Sequence, residues 1–171
     1  MEDNKGFYKE LLGYIILLIV IILIKVFIVS PIRVNGTSMY PTLHDKDFML
    51  LNKINYKFND IKRFDIVVIK YDGEDLIKRV IGLPGEKIEY RDNKLYVNGK
   101  LIKENFTREE MEDYNINQLG SEVVPNDYYF VLGDNRPVSK DSRIIGFVSR
   151  DDIVGKSSTT LFPLNRFGRK K

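Results

Sequence analysis

The sequence predicts a mainly β fold, an antiparallel β-sheet domain with a small inserted β-hairpin subdomain, preceded by one N-terminal transmembrane helix. Three observations predict it. Leu11 to Val29 is a nearly unbroken run of Leu, Ile, Val, Phe and Tyr. From Phe48 onward apolar residues recur with period two in short runs bounded by Gly, Asp and Asn, the pattern of half-buried strands. Lys94-Leu95-Tyr96-Val97 and Lys100-Leu101-Ile102 flank Asn98-Gly99, a dipeptide that favours a two-residue hairpin turn.

About 19 residues of helix rise roughly 28 Å, close to the hydrocarbon thickness of a bilayer. Lys25 lies near the far end of the run, where its stem can carry the ammonium to the interface. The run exceeds the apolar core of a cleaved signal sequence, no small-x-small site follows, and Pro31 comes directly after Val29-Ser30. Residues 11–29 therefore read as a permanent anchor behind a short N-terminus, 1–10. Lys5 and Lys9 precede the run while Lys25 and Arg33 flank its other end, so positive charge does not set the orientation.

Beyond the anchor, strands are expected at Phe48–Leu51, Asp65–Lys70, Leu76–Ile81, Lys87–Tyr90, Lys94–Val97, Tyr128–Leu132 and Ile153–Lys156. Asp92-Asn93 marks a further tight turn. Thr107 to Asn117 is charged and reads as a peripheral short helix or loop. The organisation expected is a β-domain of residues 30–85 and 128–171, interrupted by a reduced β-subdomain at 86–127.

The 171 residues suffice for one modest domain and an anchor. The net charge of +3 comes from a mixed composition, so nothing points to nucleic acid. Basic residues gather at Arg166, Arg169, Lys170 and Lys171, a tail expected to be solvated or to rest on anionic lipid. Cysteine is absent, which excludes thiol catalysis, disulfides and cysteine-ligated metals. His44 is the single histidine, and alanine does not occur.

Three stretches carry candidate chemistry. Asn35-Gly36-Thr37-Ser38-Met39-Tyr40-Pro41-Thr42-Leu43 places a serine between Gly36 and Pro41, where the backbone turns; Ser38 is either a presented hydroxyl or an ordinary turn serine. Along Leu76 to Ile81, Leu76, Lys78 and Val80 share one face and Ile77, Arg79 and Ile81 the other. A covered face would hold a basic group in apolar surroundings, which lowers a lysine's pKa but leaves arginine charged. A general base from this strand must be Lys78; the alternative is an edge strand whose lysine reaches water. Gly133 to Arg143 is dense in carboxylates, arginines and hydroxyls, and suits either a solvated turn or groups that brace a catalytic lysine. Serine chemistry needs a base. His44 lies six residues from Ser38 beside Asp45 and Asp47, which look exposed, and a serine–lysine pair fits a chain so poor in histidine.

Together these stretches resemble the type I signal peptidases, particularly the small bacterial forms with one anchor. The likeness runs through Gly36-x-Ser38-Met39-x-Pro41-Thr42, Arg63 to Val68, Lys78 to Gly85, Gly133-Asp134-Asn135-Arg136 with Ser139-x-Asp141-Ser142-Arg143, and Phe162 to Gly168. The resemblance implies a membrane-anchored serine endopeptidase that removes signal peptides from exported preproteins after small-x-small motifs, without a metal or other cofactor. It implies Ser38 as nucleophile and unprotonated Lys78 as general base. Ser139 would orient the amine, and Asp134, Asp141, Arg79 and Arg143 would brace the site through ion pairs. The oxyanion site would fall to the Ser38 N–H and the Gly36 position, where some members carry a serine hydroxyl. Ile32, Val34, Met39, Leu43 and Ile77 would line shallow pockets for small side chains. The resemblance also implies a cytoplasmic N-terminus and an extracytoplasmic catalytic domain in the cell membrane, beside the bilayer and the export machinery.

Two other readings are separable. A self-cleaving repressor also uses Ser and Lys, but cuts itself at Ala-Gly or Cys-Gly behind a DNA-binding domain; this chain has neither alanine nor cysteine, and an apolar run occupies its N-terminus. A tethered β-module without activity would not hold the Ser38 hydroxyl and Lys78 amine within about 3 Å.

Overall fold

The computed structural model describes residues 3–54, 56 and 59–170, with the backbone alone at 3–5, 158 and 169. Helix α1, Asp3–Phe27, opens the chain. Its stretch Gly6–Phe27 has 22 residues of mean hydropathy 2.7 and no part buried against the protein. Roughly 33 Å of apolar helix is long enough to cross a membrane. The helix starts earlier than residue 11 and stops at Phe27, because Val29 already belongs to a strand. Ser30 Oγ donates to the Lys25 carbonyl at 2.7 Å and Lys53 Nζ to the Val26 carbonyl at 3.2 Å. Both satisfy last-turn carbonyls, and the ammonium meets the negative end of the helix dipole.

The strands are β1 Val29–Arg33, β2 Phe48–Asn52, β3 Ile66–Tyr71, β4 Glu74–Gly82, β5 Ile88–Arg91, β6 Lys94–Val97, β7 Lys100–Ile102, β8 Tyr114–Asn115, β9 Tyr128–Leu132, β10 Val148–Ser149, β11 Ile153–Phe162 and β12 Gly168–Arg169. They form two antiparallel sheets. The larger runs β1-β2-β11-β3-β4-β9-β10, with β12 also on β11; the smaller, β7-β6-β5-β8, is inserted between β4 and β9. Asp92-Asn93 and Asn98-Gly99 all take positive φ, the geometry of tight hairpin turns.

Strand β4 alternates as its sequence requires. Leu76 and Val80 pack with Val67, Ile69 and Val131 in one cluster, while Ile77 joins Ile66, and Ile81 joins Phe130 and Leu132, in two others. Adjacent Lys78 and Arg79 are thereby directed into different surroundings. β4 pairs with β3 along residues 74–79 and with β9 only at Arg79, Val80 and Gly82. Its edge from Glu74 to Lys78, like the outer edge of β1, has no strand partner among the described residues.

Three expectations change. Residues 107–117 are not peripheral: they contain β8 and the buried Met111, and Ile116 at the start of a short 3-10 turn is fully buried. Asp47 is buried, accepting from Arg166 Nη2 at 2.6 Å and from the His44 N–H at 3.1 Å. Arg166 therefore folds back onto the domain instead of forming a free basic tail; the side chain of Arg169 and all of Lys171 lie outside the described residues.

The two sheets meet tightly at Gly82. A Cβ there would stand 2.7 Å from Ile88 Cγ1 and 3.0 Å from both Phe130 Cβ and Val124 Cγ2. Gly82→Ala is expected to destabilise the protein by about 1–3 kcal/mol through overpacking, read as a lower thermal midpoint in detergent; an unchanged midpoint would mean this junction yields freely.

Candidate active site

Ser38 lies in the connection from β1 to β2. Gly36 takes φ +88°, open to glycine at little cost, and its N–H donates to Asp45 Oδ1 at 2.9 Å. The Leu43 N–H donates to the Met39 carbonyl, the Val34 N–H to the Asp47 carbonyl, and the Lys46 N–H to the Val34 carbonyl. This folded connection is docked on the loop after β9: the Asn135 N–H donates to the Ser38 carbonyl at 3.0 Å, and Asn135 Nδ2 to the Thr37 carbonyl at 3.1 Å.

Lys78, in the middle of β4, is 2 % exposed. Its Nζ lies 2.8 Å from Ser38 Oγ and donates to the Ile77 carbonyl at 3.0 Å. Burial pulls the amine down to about 8 from 10.5, against the opposing fields of Asp141 and Asp134. Water around the ammonium is what burial removes, so the neutral form gains.

Both carboxylates are already committed to arginines. Arg79 and Asp134 are fully buried and form a two-point pair, Nε to Oδ1 at 2.8 Å and Nη2 to Oδ2 at 2.6 Å. Such a fork fixes direction as well as charge. Thr42, from the Ser38 connection, donates to Asp134 Oδ2 at 2.5 Å. Asp141 accepts from Arg143 Nε and Nη2, each at 2.8 Å, and from the Gly133 N–H at 3.0 Å. Gly133 has no room for a side chain: a Cβ would stand 2.2 Å from Ser139 Oγ and 2.4 Å from the Ser38 carbonyl oxygen.

The residues expected at the site thus fall into three groups. Ser38, Lys78, Arg79, Asp134, Asp141 and Arg143 are brought together by the contacts above. Ser139 is buried beside Gly133, but its Oγ has no hydrogen-bond partner, and the amine is held by Ile77 and Ser38 instead. At the expected oxyanion position the Gly36 N–H donates to Asp45, while the Ser38 N–H has no partner among the described residues. Ile32, Val34, Met39, Leu43 and Ile77 pack in one cluster. Of these, Ile32 and Ile77 line an open cleft of about 490 Å³ with Arg33, Asn35, Val68, Glu74, Asp75 and Leu76, while Val34, Met39 and Leu43 are buried in the cluster. His44 stacks edge-on against Tyr40 at 5.3 Å.

Sequence reasoning assigned no role to Thr42, Glu104, Phe106, Asn135 and Arg136. Glu104 binds Arg136 Nη2 at 2.8 Å, Arg108 Nε at 2.7 Å and the Tyr90 hydroxyl at 2.8 Å, and Arg136 Nε donates to the Gly133 carbonyl at 3.0 Å. Thr42, Asn135 and Arg136 stood inside motifs that resemble the family's; Glu104 and Phe106 lie just before the charged stretch, and their partners Arg136 and Arg79 are far along the chain.

Burying an ammonium has a stability signature. Below about pH 8 the folded and unfolded chains both hold the Lys78 proton, and folding carries the full desolvation cost. Between about 8 and 10.5 only the unfolded chain binds it, so stability rises with pH. Relative to Lys78→Met, the wild-type protein is expected to gain about 3 kcal/mol between neutral pH and the ordinary lysine pKa, measured by denaturant unfolding in detergent. A pH-independent difference would show that the amine is not desolvated.

The family model described as signal peptidase, peptidase S26, matches residues 8–162. Signal peptidase IB of Staphylococcus aureus is 39% identical over 93% of this chain and 93% of its own length. Signal peptidase I of Bacillus amyloliquefaciens is 37% identical over 92% of this chain and 89% of its own length. A crystal structure of a signal peptidase I from Enterococcus faecalis V583 matches with a TM-score of 0.53 and 40% identity, covering 57% of this chain and 97% of that one. On sequence and architecture alike, the chain belongs to the S26 family of signal peptidases and is a serine peptidase.

Proposed function

We propose that Ser38 and Lys78 form a catalytic dyad that removes signal peptides from exported preproteins. The observation that carries this reading is the 2.8 Å approach of a buried lysine amine to the serine hydroxyl. Neutral Lys78 Nζ takes the Ser38 proton as Oγ attacks the scissile carbonyl, and the oxyanion is met by the Ser38 N–H. The C–N bond breaks, the lysine proton passes to the leaving amine, and an acyl-enzyme remains. Lys78 then takes a proton from water as the water attacks the ester, and returns it to Ser38 Oγ. Ser139, buried and unpartnered beside Gly133, would be the further acceptor for the ammonium while it exists.

Strands β1 and β4, each with an unpaired edge, both contribute residues to the same cleft, and an extended substrate segment would add between them by strand pairing. Ile32 and Ile77 present apolar surface there, which suits the small side chains of a small-x-small motif. The catalytic unit is residues 30–85 and 128–171, with 86–127 as the insert. Helix α1 anchors the chain in the cell membrane with residues 1–10 toward the cytoplasm; the catalytic unit stands outside, against the bilayer and close to the export machinery.

Purified full-length protein in detergent, given a preprotein with an alanine-rich cleavage site, tests the reading. Ser38→Ala and Lys78→Ala are each expected to abolish cleavage, and Lys78→Arg likewise, since a guanidinium stays charged. Appreciable turnover by Lys78→Arg would overturn the mechanism.

A further inference from the structure

Residues 104–109 of the insert cross the site from outside. The Phe106 ring covers the Arg79 guanidinium at 3.9 Å from its centroid and meets Phe64 edge-on at 5.2 Å. The Glu109 N–H donates to the Asp134 carbonyl at 2.9 Å. Glu104 ties the same segment to Arg136, and through it to the Gly133 carbonyl. Ring, backbone and carboxylate of one short segment therefore hold the pair next to Lys78 and the loop that docks Ser38.

We propose that Phe106 is a positioning residue for the proton transfer, covering the Arg79–Asp134 pair and so keeping Asp134 neutralised by its arginine. This rests on the reading of Lys78 as the base. Arg79 is fully buried, its Nε and Nη2 reach Asp134, and its Nη1 donates to the Phe64 carbonyl at 3.0 Å. An aromatic face suits a desolvated guanidinium because its electrons attract the cation without demanding a hydrogen bond. With the ring gone, water reaches the guanidinium and screens its hold on Asp134. Asp134 and Asp141 are the carboxylates whose fields reach the amine; Asp141 remains neutralised by Arg143, and Asp134 becomes the stronger of the two. A carboxylate less fully neutralised by its arginine favours the ammonium.

The test is the pH dependence of preprotein cleavage by full-length protein in detergent, for wild type, Phe106→Ala, Phe106→Leu and Phe106→Tyr. For Phe106→Ala the alkaline-rising limb of kcat is expected to move up by about one pH unit, a roughly tenfold loss at neutral pH, with KM changed less than about twofold because the ring does not line the cleft. Phe106→Tyr keeps the aromatic face and is expected to restore the wild-type limb; Phe106→Leu fills space without that face and is expected to fall between. If Phe106→Ala does not fold, the Leu and Tyr variants decide alone, and coincident limbs for those two overturn the proposal. A Phe106→Ala limb identical to wild type, with Lys78→Ala inactive, overturns this inference and leaves the dyad standing. Full activity of Lys78→Ala overturns the reading beneath it.

Discussion

A primary amine placed beside a serine hydroxyl acts as a base only if its proton is easily lost, and in water a lysine keeps that proton to about pH 10.4. The arrangement around Lys78 meets this requirement chiefly by exclusion of water. Of the apolar residues on either side of it in β4, Val80 is buried in a cluster that the half-buried Leu76 packs against, and the Ser38 hydroxyl meets the amine. Exclusion alone would be undone by the two carboxylates close by, whose fields favour the ammonium. Each is held by its own arginine, which reduces the net field at the amine without bringing in solvent.

That solution explains why so many polar groups are buried at one place. Arg79, Asp134, Arg136, Asp141, Ser139 and Ser142 are all buried, a costly set in any interior. All but Ser139 are tied by hydrogen bonds to the turn of Ser38, to the end of β9 and to the insert. Gly133 sits at their junction, and the clashes a Cβ would make there show how closely the Ser38 carbonyl and Ser139 approach the strand end. The insert is thus more than an appendage: its charged segment closes one side of the same network.

Local pattern made much of this legible in the sequence. The alternation from Leu76 to Ile81 announced a strand with opposed basic residues, and Asn98-Gly99 and Asp92-Asn93 announced their turns. Features set by distant partners were not readable. β1 was hidden because it is short and contains Pro31, which an edge strand tolerates since a missing N–H there interrupts no ladder. β8 and β12 are two residues each, too short for any periodicity. Asp47 looked like a solvated neighbour of His44 because Arg166, its partner, is 119 residues away. The covering of Arg79 by Phe106 had no signal at all within either segment.

The central claim is that Lys78 carries a loosely held proton because it is dry. Labelling lysine at Cε with 13C and following the Lys78 signal in full-length protein, assigned by comparison with Lys78→Met, reads that proton directly. The account predicts a titration midpoint near 8. A midpoint at the ordinary lysine value, above about 10, would contradict it.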